Sequence, residues 1–366
     1  MRFLLILLLA TASLAQELQP SHTNESLRGV SAVSNKIAWA SGAHGTYLRT
    51  TDGQHWTPAQ VPNATTLDFR GIVALSADEA FLMSAGPGDQ SRIYHTTDAG
   101  QHWQLQFIAT NPKSFFDSIT FWDKTHGIVL GDPIPDETGK LKFQVLLTDD
   151  GQIWHAIPPA NLPAAVEGVG AFAASNSCIA ILPTPTLTPT PAASQGVSTT
   201  ASASDPNIWF ATGGKVTRVF RSSDRGQTWK VTDAPISHGP DSAGIFSIAF
   251  RDALHGVIAG GDYKHPDEDG PNLAFTNDGG KTWTLASVHP QPYFSAVAYD
   301  RRSKGKSKDR LFLVASDVIF DYLLPQALSK IGPVPNAKFN AISSYHEGGA
   351  VVVGPNGAVF TIPPSP

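Results

Sequence analysis

The chain has 366 residues, a net charge of −5 and only 16% charged residues. That balance carries no basic stripe of the kind that binds nucleic acid. Its one cysteine, Cys178, rules out an intrachain disulfide and any structural metal site built on several thiolates. Cys178 lies in the apolar run Ser177 to Leu182 and reads as a small buried hydrophobe.

A short basic start, Met1-Arg2, leads into the apolar run Phe3 to Ala10 and then Ser13-Leu14-Ala15. This pattern reads as a secretory signal peptide over residues 1–15. Residues 16–366 are then expected to be exported, periplasmic or extracellular, as a single domain and a monomer. No cysteine follows the leader to carry a lipid, and no later run is apolar for long enough to span a bilayer. Gly, Pro and short runs rich in Val, Ile and Phe point to an all-β chain.

An eight-residue motif recurs along it. Ser222 to Trp229, Thr276 to Trp283 and Thr96 to Trp103 share the form Ser/Thr-x-Asp-x-Gly-x-x-Trp. Thr50 to Trp56 and Thr148 to Trp154 are one residue shorter. The hydroxyl and the Asp carboxylate suit acceptance from backbone N–H groups a few residues on, and the Gly suits a positive φ. The Trp supplies a packing anchor. Asp52, Trp56, Asp98, Trp103, Asp150, Trp154, Asp224, Trp229, Asp278 and Trp283 are therefore read as structural, with His55 and His102 as turn-packing residues.

Each box lies between the third and fourth strands of a unit of similar layout, and repeats of this length indicate a propeller or solenoid. Strand one and strand two open the units at Leu27 and Lys36, Phe69 and Ala80, Phe116 and Gly127, Val166 and Ser177, and Ile245 and Gly256. Two units without a box follow, from Tyr293 and from Phe339. The last shows three strands, and residues around Gln16 to Pro20 are expected to supply its fourth, closing the ring without an open edge. The expectation is a seven-bladed β-propeller of four-stranded antiparallel blades, with six blades as the alternative count. The Pro/Thr/Ala/Ser-rich stretch at 183–206 reads as a disordered insertion in the fourth blade. The basic run Arg301 to Arg310 reads as a solvated hairpin loop, with polyanion binding as the alternative.

With each box between strands three and four, the start of strand one lies on the opposite face. Aligning the units there gives Arg28, Arg70, Asp117, Glu167, Phe246, Phe294 and Asn340. Counting six residues back from each box Asp gives Thr46, Arg92, Gln144, Arg218 and Asn272. Four arginines thus gather as candidate contacts for an anionic or polar ligand, or as partners for nearby carboxylates. Asp132, in Gly131-Asp132-Pro133, and Asp262-Tyr263-Lys264, after Gly260-Gly261, lie on loops reaching the same face. Tyr263 and Lys264 join the ligand candidates. Asp117, Glu167, Asp132 and Asp262 are the catalytic candidates, and Asx turns are the alternative for the loop pair. Asp267-Glu268-Asp269 fits no ordered cation loop, and no metal or cofactor site is expected.

The boxes resemble the Asp-box, or BNR repeat, of sialidase-like and related β-propellers. Sialidases imply six blades, an arginine triad, a Tyr–Glu pair and an Asp. Their Arg-Ile-Pro motif has its nearest match here in Arg92-Ile93-Tyr94, in a later unit and without the Pro. Through segments such as Leu27-Arg28-Gly29 and Thr50-Thr51-Asp52-Gly53 the units also look like the photosystem II assembly- and stability-factor propellers. That resemblance covers most of the chain. It implies seven blades, an exported or lumenal place, no catalysis and an arginine-rich patch. Some bacterial propellers with similar Gly-Asp-Pro loops are labelled oxidoreductases, but no nucleotide-binding Gly-rich strand-turn-helix is present here. The leading expectation is an exported non-catalytic scaffold that binds a protein or a small anionic or carbohydrate ligand opposite the boxes. The alternative is a glycoside hydrolase or lyase.

Overall fold

The computed structural model describes residues 18–162, 164–182, 208–302, 309–324, 328–331 and 337–364. The signal-peptide reading and the 183–206 insertion lie outside these residues, as does most of the basic run. The described chain folds into seven small antiparallel sheets with almost no helix.

Blade one is β1 (Leu27–Ala32), β2 (Ala38–Gly42), β3 (Thr46–Thr50) and β4 (Thr57–Gln60). Blade two is β5 (Asp68–Ala74), β6 (Ala80–Ala85), β7 (Arg92–Thr96) and β8 (Gln104–Ile108). Blade three is β9 (Phe116–Phe121), β10 (Gly127–Pro135), β11 (Leu141–Thr148) and β12 (His155–Ala156). A two-strand ribbon begins with β13 (Val169–Gly170). Blade four holds β14 (Ile179–Ile181) and β15 (Ile208–Ala211); β16 (Gly213–Gly214) completes the ribbon. β17 (Arg218–Ser222) and β18 (Lys230–Asp233) finish blade four. Blade five is β19 (Ala243–Phe250), β20 (Gly256–Asp262), β21 (Leu273–Thr276) and β22 (Thr284–Leu285). Blade six is β23 (Phe294–Tyr299), β24 (Arg310–Ala315), β25 (Ile319–Leu323) and β26 (Leu328–Lys330). Blade seven is β27 (Ala341–Ser344), β28 (Ala350–Val353) and β29 (Val359–Ile362).

The N-terminal segment closes the ring as expected. Leu18 forms an antiparallel bridge to Phe360, and the Gln19 N–H donates to the Val359 carbonyl at 2.8 Å. Gln19 then reaches blade one, where its side chain accepts from Trp56 Nε1 at 2.8 Å and donates to the Gly53 carbonyl. First and last blades are thereby joined without an open edge.

The fourth blade corrects the sequence reading. Val166 to Phe172 is not its first strand. The Cys178 run is, as β14, and the unassigned Ile208-Trp209-Phe210-Ala211 is its second. The reason is local. Gly168 has φ +76° and the stretch holds a second glycine, so it suits a turn. Trp209 is fully buried, stacks on Phe250 at 3.6 Å and donates to the Gly279 carbonyl at 2.9 Å. The 183–206 stretch therefore falls between strands one and two, at the box end of the blade.

Each box Trp packs against the preceding blade. Trp103 meets Trp39 edge-on at 6.3 Å, and Trp154 lies in a core with Phe81 and Met83. Trp56, Trp229 and Trp283 pack against blades seven, three and four. In every box the hydroxyl at its start donates to the Asp, and an Asp oxygen accepts backbone N–H groups beyond it. His55 and His102 are not packed. Both are exposed, and each ring Nδ1 lies 2.6 Å from the outer oxygen of Asp52 or Asp98. Thr228 and Thr282 hydroxyls take that place in two other boxes.

Burial pushes the Asp278 carboxyl up, but the Thr282 hydroxyl and neighbouring N–H groups outweigh it and hold the pKa at about 2. Thr282→Ala is expected to raise it toward the ordinary carboxylate range. An NMR pH titration of the Asp278 carboxyl checks this; no change would mean that the backbone bonds alone set it.

Candidate functional site at the channel mouth

Strand one lines the central channel, and in five blades it carries a β-bulge near its start. The extra residues are Arg28, Arg70, Asp117, Phe246 and Ser295. A bulge leaves one residue unpaired and re-aims its side chain. In blade six the bulged residue is Ser295, one past the expected Phe294. Glu167 does not belong to this set, because it sits on an exposed turn ahead of β13.

The channel is crossed by the chain that enters blade four. β13 pairs with β16, and Gly213 of β16 pairs with Gly244 of β19. Two strands thus lie inside blade five's first strand. Phe172 then stacks on Phe246 at 3.8 Å and 11°. A Cβ at Gly213 or Gly244 would come within 2.3 Å or 2.7 Å of its ring, so both positions need glycine. Residues 173–177 touch first strands on several sides. The Ala173 carbonyl accepts from Arg70, Ser175 donates to the Ser295 carbonyl, and Ser177 donates to the Ser247 hydroxyl. Asn176, at φ +61°, caps blades two and three. Its Oδ1 accepts from the Ile119 N–H at 2.8 Å and Ser118 Oγ at 3.2 Å, and its Nδ2 donates to the Ile72 and Ile119 carbonyls. This strap was not legible in the sequence.

The four arginines divide. Arg28 and Arg70 come together on Asp68, with Nε to carboxylate distances of 3.5 Å and 2.8 Å. Arg70 Nη1 also donates to the Ala173 carbonyl at 3.3 Å. Two cations on one carboxylate leave a local net charge of +1 (two minus one). Neither Nη atom of Arg28 donates a hydrogen bond among the described residues. Arg92 and Arg218 do not join them. Each starts a third strand, further from the channel, and pairs locally with Asp89 at 3.5 Å or Asp233 at 2.9 Å.

The carboxylates also divide. Asp117 is 1% exposed, and neither of its oxygens has a hydrogen-bond partner. Burial first, then the charge of Asp132, pushes its pKa well above the ordinary range against the pull of Arg70. Burial likewise raises Asp132 to about 6, although its Oδ1 accepts from the Ala171 N–H at 3.0 Å. Beside them burial holds Cys178 as a thiol. Asp262 shapes its loop, bonding the Lys264 N–H and His265 Nδ1 at 2.9 Å. Burial raises its carboxyl, but these bonds outweigh it and leave it below the ordinary range.

An aromatic shelf adjoins the arginine pair through the consecutive residues Phe172 and Ala173. Phe246 meets Tyr293 edge-on at 4.8 Å and Tyr263 at 6.1 Å. Tyr263 is 49% exposed, and Lys264 beside it forms no ion pair among the described residues. Asp68 and Phe172 were missed in the sequence; the one available signal was Asp68 two residues before Arg70 on the same strand. Among the described residues no His/Cys/Asp/Glu cluster fits a metal ion, and no helix is long and apolar enough to cross a membrane.

No protein-family model matches this chain, and no curated protein sequence matches it. Solved structures do. A structure described as YCF48 bound to D1 peptide superposes with a TM-score of 0.62 at 15% identity, covering 96% of this chain and 95% of that one. A structure described as that of U3-55K gives 0.60 at 10% identity, covering 95% and 98%. A GH74 xyloglucanase from Xanthomonas campestris gives 0.61 at 14% identity, with 94% of this chain on about half (53%) of the enzyme. At these identities the likeness is one of fold: a seven-bladed propeller.

Proposed function

We propose that this protein is an exported, non-catalytic propeller that holds an anionic ligand, or an acidic segment of a partner protein, at Arg28 and Arg70. The observation that carries this reading is the sharing of one carboxylate, Asp68, by two bulge-borne guanidinium groups. Arg28 keeps donors to spare, and guanidinium suits bidentate carboxylate or phosphate contacts. Phe172 and Tyr263, both exposed in part over the buried Phe246 and with Lys264 at the edge, supply apolar area beside the charge. A propeller of the same fold, YCF48, is described with a D1 peptide bound, which makes a protein segment a reasonable occupant. The glycosidase alternative needs two carboxylates facing solvent across a gap of about 5–10 Å. Asp117 is buried, Asp132 partly so, Asp262 is held by His265, and Glu167 lies on a separate turn.

The test is a screen of acidic peptides and small carboxylates. Arg28→Glu/Arg70→Glu is expected to weaken binding of any hit at least tenfold, whereas Arg218→Glu, whose partner is Asp233, leaves it unchanged. Equal binding by the double variant and the native protein would sink the assignment.

A further inference from the structure

The two arginines at the channel mouth are held very differently. Arg70 is pinned: its Nε donates to Asp68 Oδ2 at 2.8 Å and its Nη1 to the Ala173 carbonyl at 3.3 Å. Arg28 is not. Its Nε faces Asp68 Oδ1 at 3.5 Å, and neither of these two buried atoms has a hydrogen-bond partner among the described residues. The strands bring the pair together because Gly29, next to Arg28, packs on β5. A Cβ there would come within 3.0 Å of the Arg70 carbonyl oxygen. What Arg28 leaves to a ligand is its Nη end, two coplanar nitrogens that match the two oxygens of one carboxylate.

Charge around this fork decides which anions suit it. Asp68 lies on both guanidinium groups and cancels one of their two charges. On the blade-three side Asp117 adds little, because burial favours its protonated form. On the blade-one side Glu25 lies 2.7 Å from His44 Nδ1. The Gly45 N–H donates to the Leu67 carbonyl at 2.8 Å, which sets the His44 turn beside Asp68. The cost of taking an ion out of water grows as the square of its charge, whereas its attraction to a fixed charge grows only in proportion. A surplus of one positive charge is neutralised by a monoanion. A dianion carries about four times the desolvation cost for about twice the attraction, and it meets the repulsion of Asp68 as well.

We infer that Asp68 sets the charge class of the ligand: the site takes a single carboxylate and rejects dianions such as sulfate or a phosphate monoester. This rests on the reading of Arg28 and Arg70 as anion contacts. Asp68 acts by repulsion, lowering affinity for every anion but lowering it most for dianions.

The experiment titrates the full chain at neutral pH and constant ionic strength with acetate, with sulfate and with a blocked tripeptide carrying one central Glu. The Nε–Hε resonances of Arg28 and Arg70 report binding by NMR. The native protein is expected to bind acetate roughly fivefold more tightly than sulfate. Asp68→Asn keeps the shape and an oxygen for Arg70; it is expected to reverse that order, raising sulfate affinity roughly tenfold and acetate affinity less than about threefold. Asp68→Glu keeps the charge and is expected to keep the preference for acetate. Tripeptide binding tighter than acetate assigns the carboxylate to a protein segment, and equal binding assigns it to a free acid. Sulfate binding tighter than acetate in the native protein would overturn the inference. So would equal losses of both in Asp68→Asn, which is what a merely structural role gives. If acetate binding is lost in Arg28→Glu/Arg70→Glu but the sulfate-to-acetate ratio is unchanged in Asp68→Asn, this inference fails alone. If none of the three probes binds the native protein, the anion reading fails and takes this inference with it.

Discussion

Asn176→Ala is expected to lower the stability of the propeller by about 4 kcal/mol. The side chain makes four hydrogen bonds to the first strands of blades two and three. Truncation leaves the Ile119 N–H without its acceptor and two carbonyls short of a donor. An orphaned buried group costs about 1–3 kcal/mol. The backbone adds to this, because Asn tolerates φ +61° and Ala resists it by roughly 1–2 kcal/mol. Asn176→Gly removes the bonds but not the φ preference, so it should fall between the native protein and the Ala variant. Urea unfolding at constant m-value measures the loss. Hydrogen exchange at the Ile119 amide gives a local readout, with protection falling in both variants. A loss under about 1 kcal/mol with Ile119 still protected would show that the strap merely rests in the channel.

The second large effect is a dependence on pH. Asp132 has a folded pKa of about 6 against an ordinary 3.8. The folded state therefore keeps a proton that the unfolded state releases near pH 4. The contribution of this group to stability is full below pH 4, declines as pH rises from 4 to 6, and stays low above that. A rise of about two units corresponds to a loss of about 3 kcal/mol. Asp117 acts in the same direction, and the two are linked because the charge of Asp132 raises Asp117 further. Asp132→Asn cannot ionise yet keeps an oxygen for the Ala171 N–H. It is expected to match the native protein near pH 4 and to exceed it by about 3 kcal/mol at pH 8, read from unfolding midpoints across that range. A gap that does not change with pH would mean that Asp132 is already ionised in the fold.

Both effects arise where the chain crosses the channel, and that crossing marks the limit of what local pattern conveys. The spacing of the repeated Ser/Thr-x-Asp motif located the first-strand positions of Arg28, Arg70, Asp117 and Phe246, all of which are bulged residues. It worked because box and first strand are joined within one blade by turns of nearly constant length. At blade four the long insertion breaks that spacing, so Glu167 was misplaced and Trp209 overlooked. The same count reached Arg92 and Arg218, but it does not register distance from the channel. Their partners, Asp89 and Asp233, lie on their own blades.

The sequence by itself determined the all-β class, the seven repeats, the box turns and the N-terminal closure. Each of these follows from short-range chemistry: alternation of apolar residues, hydroxyl and carboxylate turns, and glycine at positive φ. Only the tertiary structure decided that two arginines share Asp68, and that Asp117 is buried and Asp132 partly buried beside the strap. Ala173-Ala174-Ser175-Asn176-Ser177 has no pattern of its own. Its meaning comes from closing the ring, which brings the first strands of blades two, three, five and six within one hydrogen bond of it.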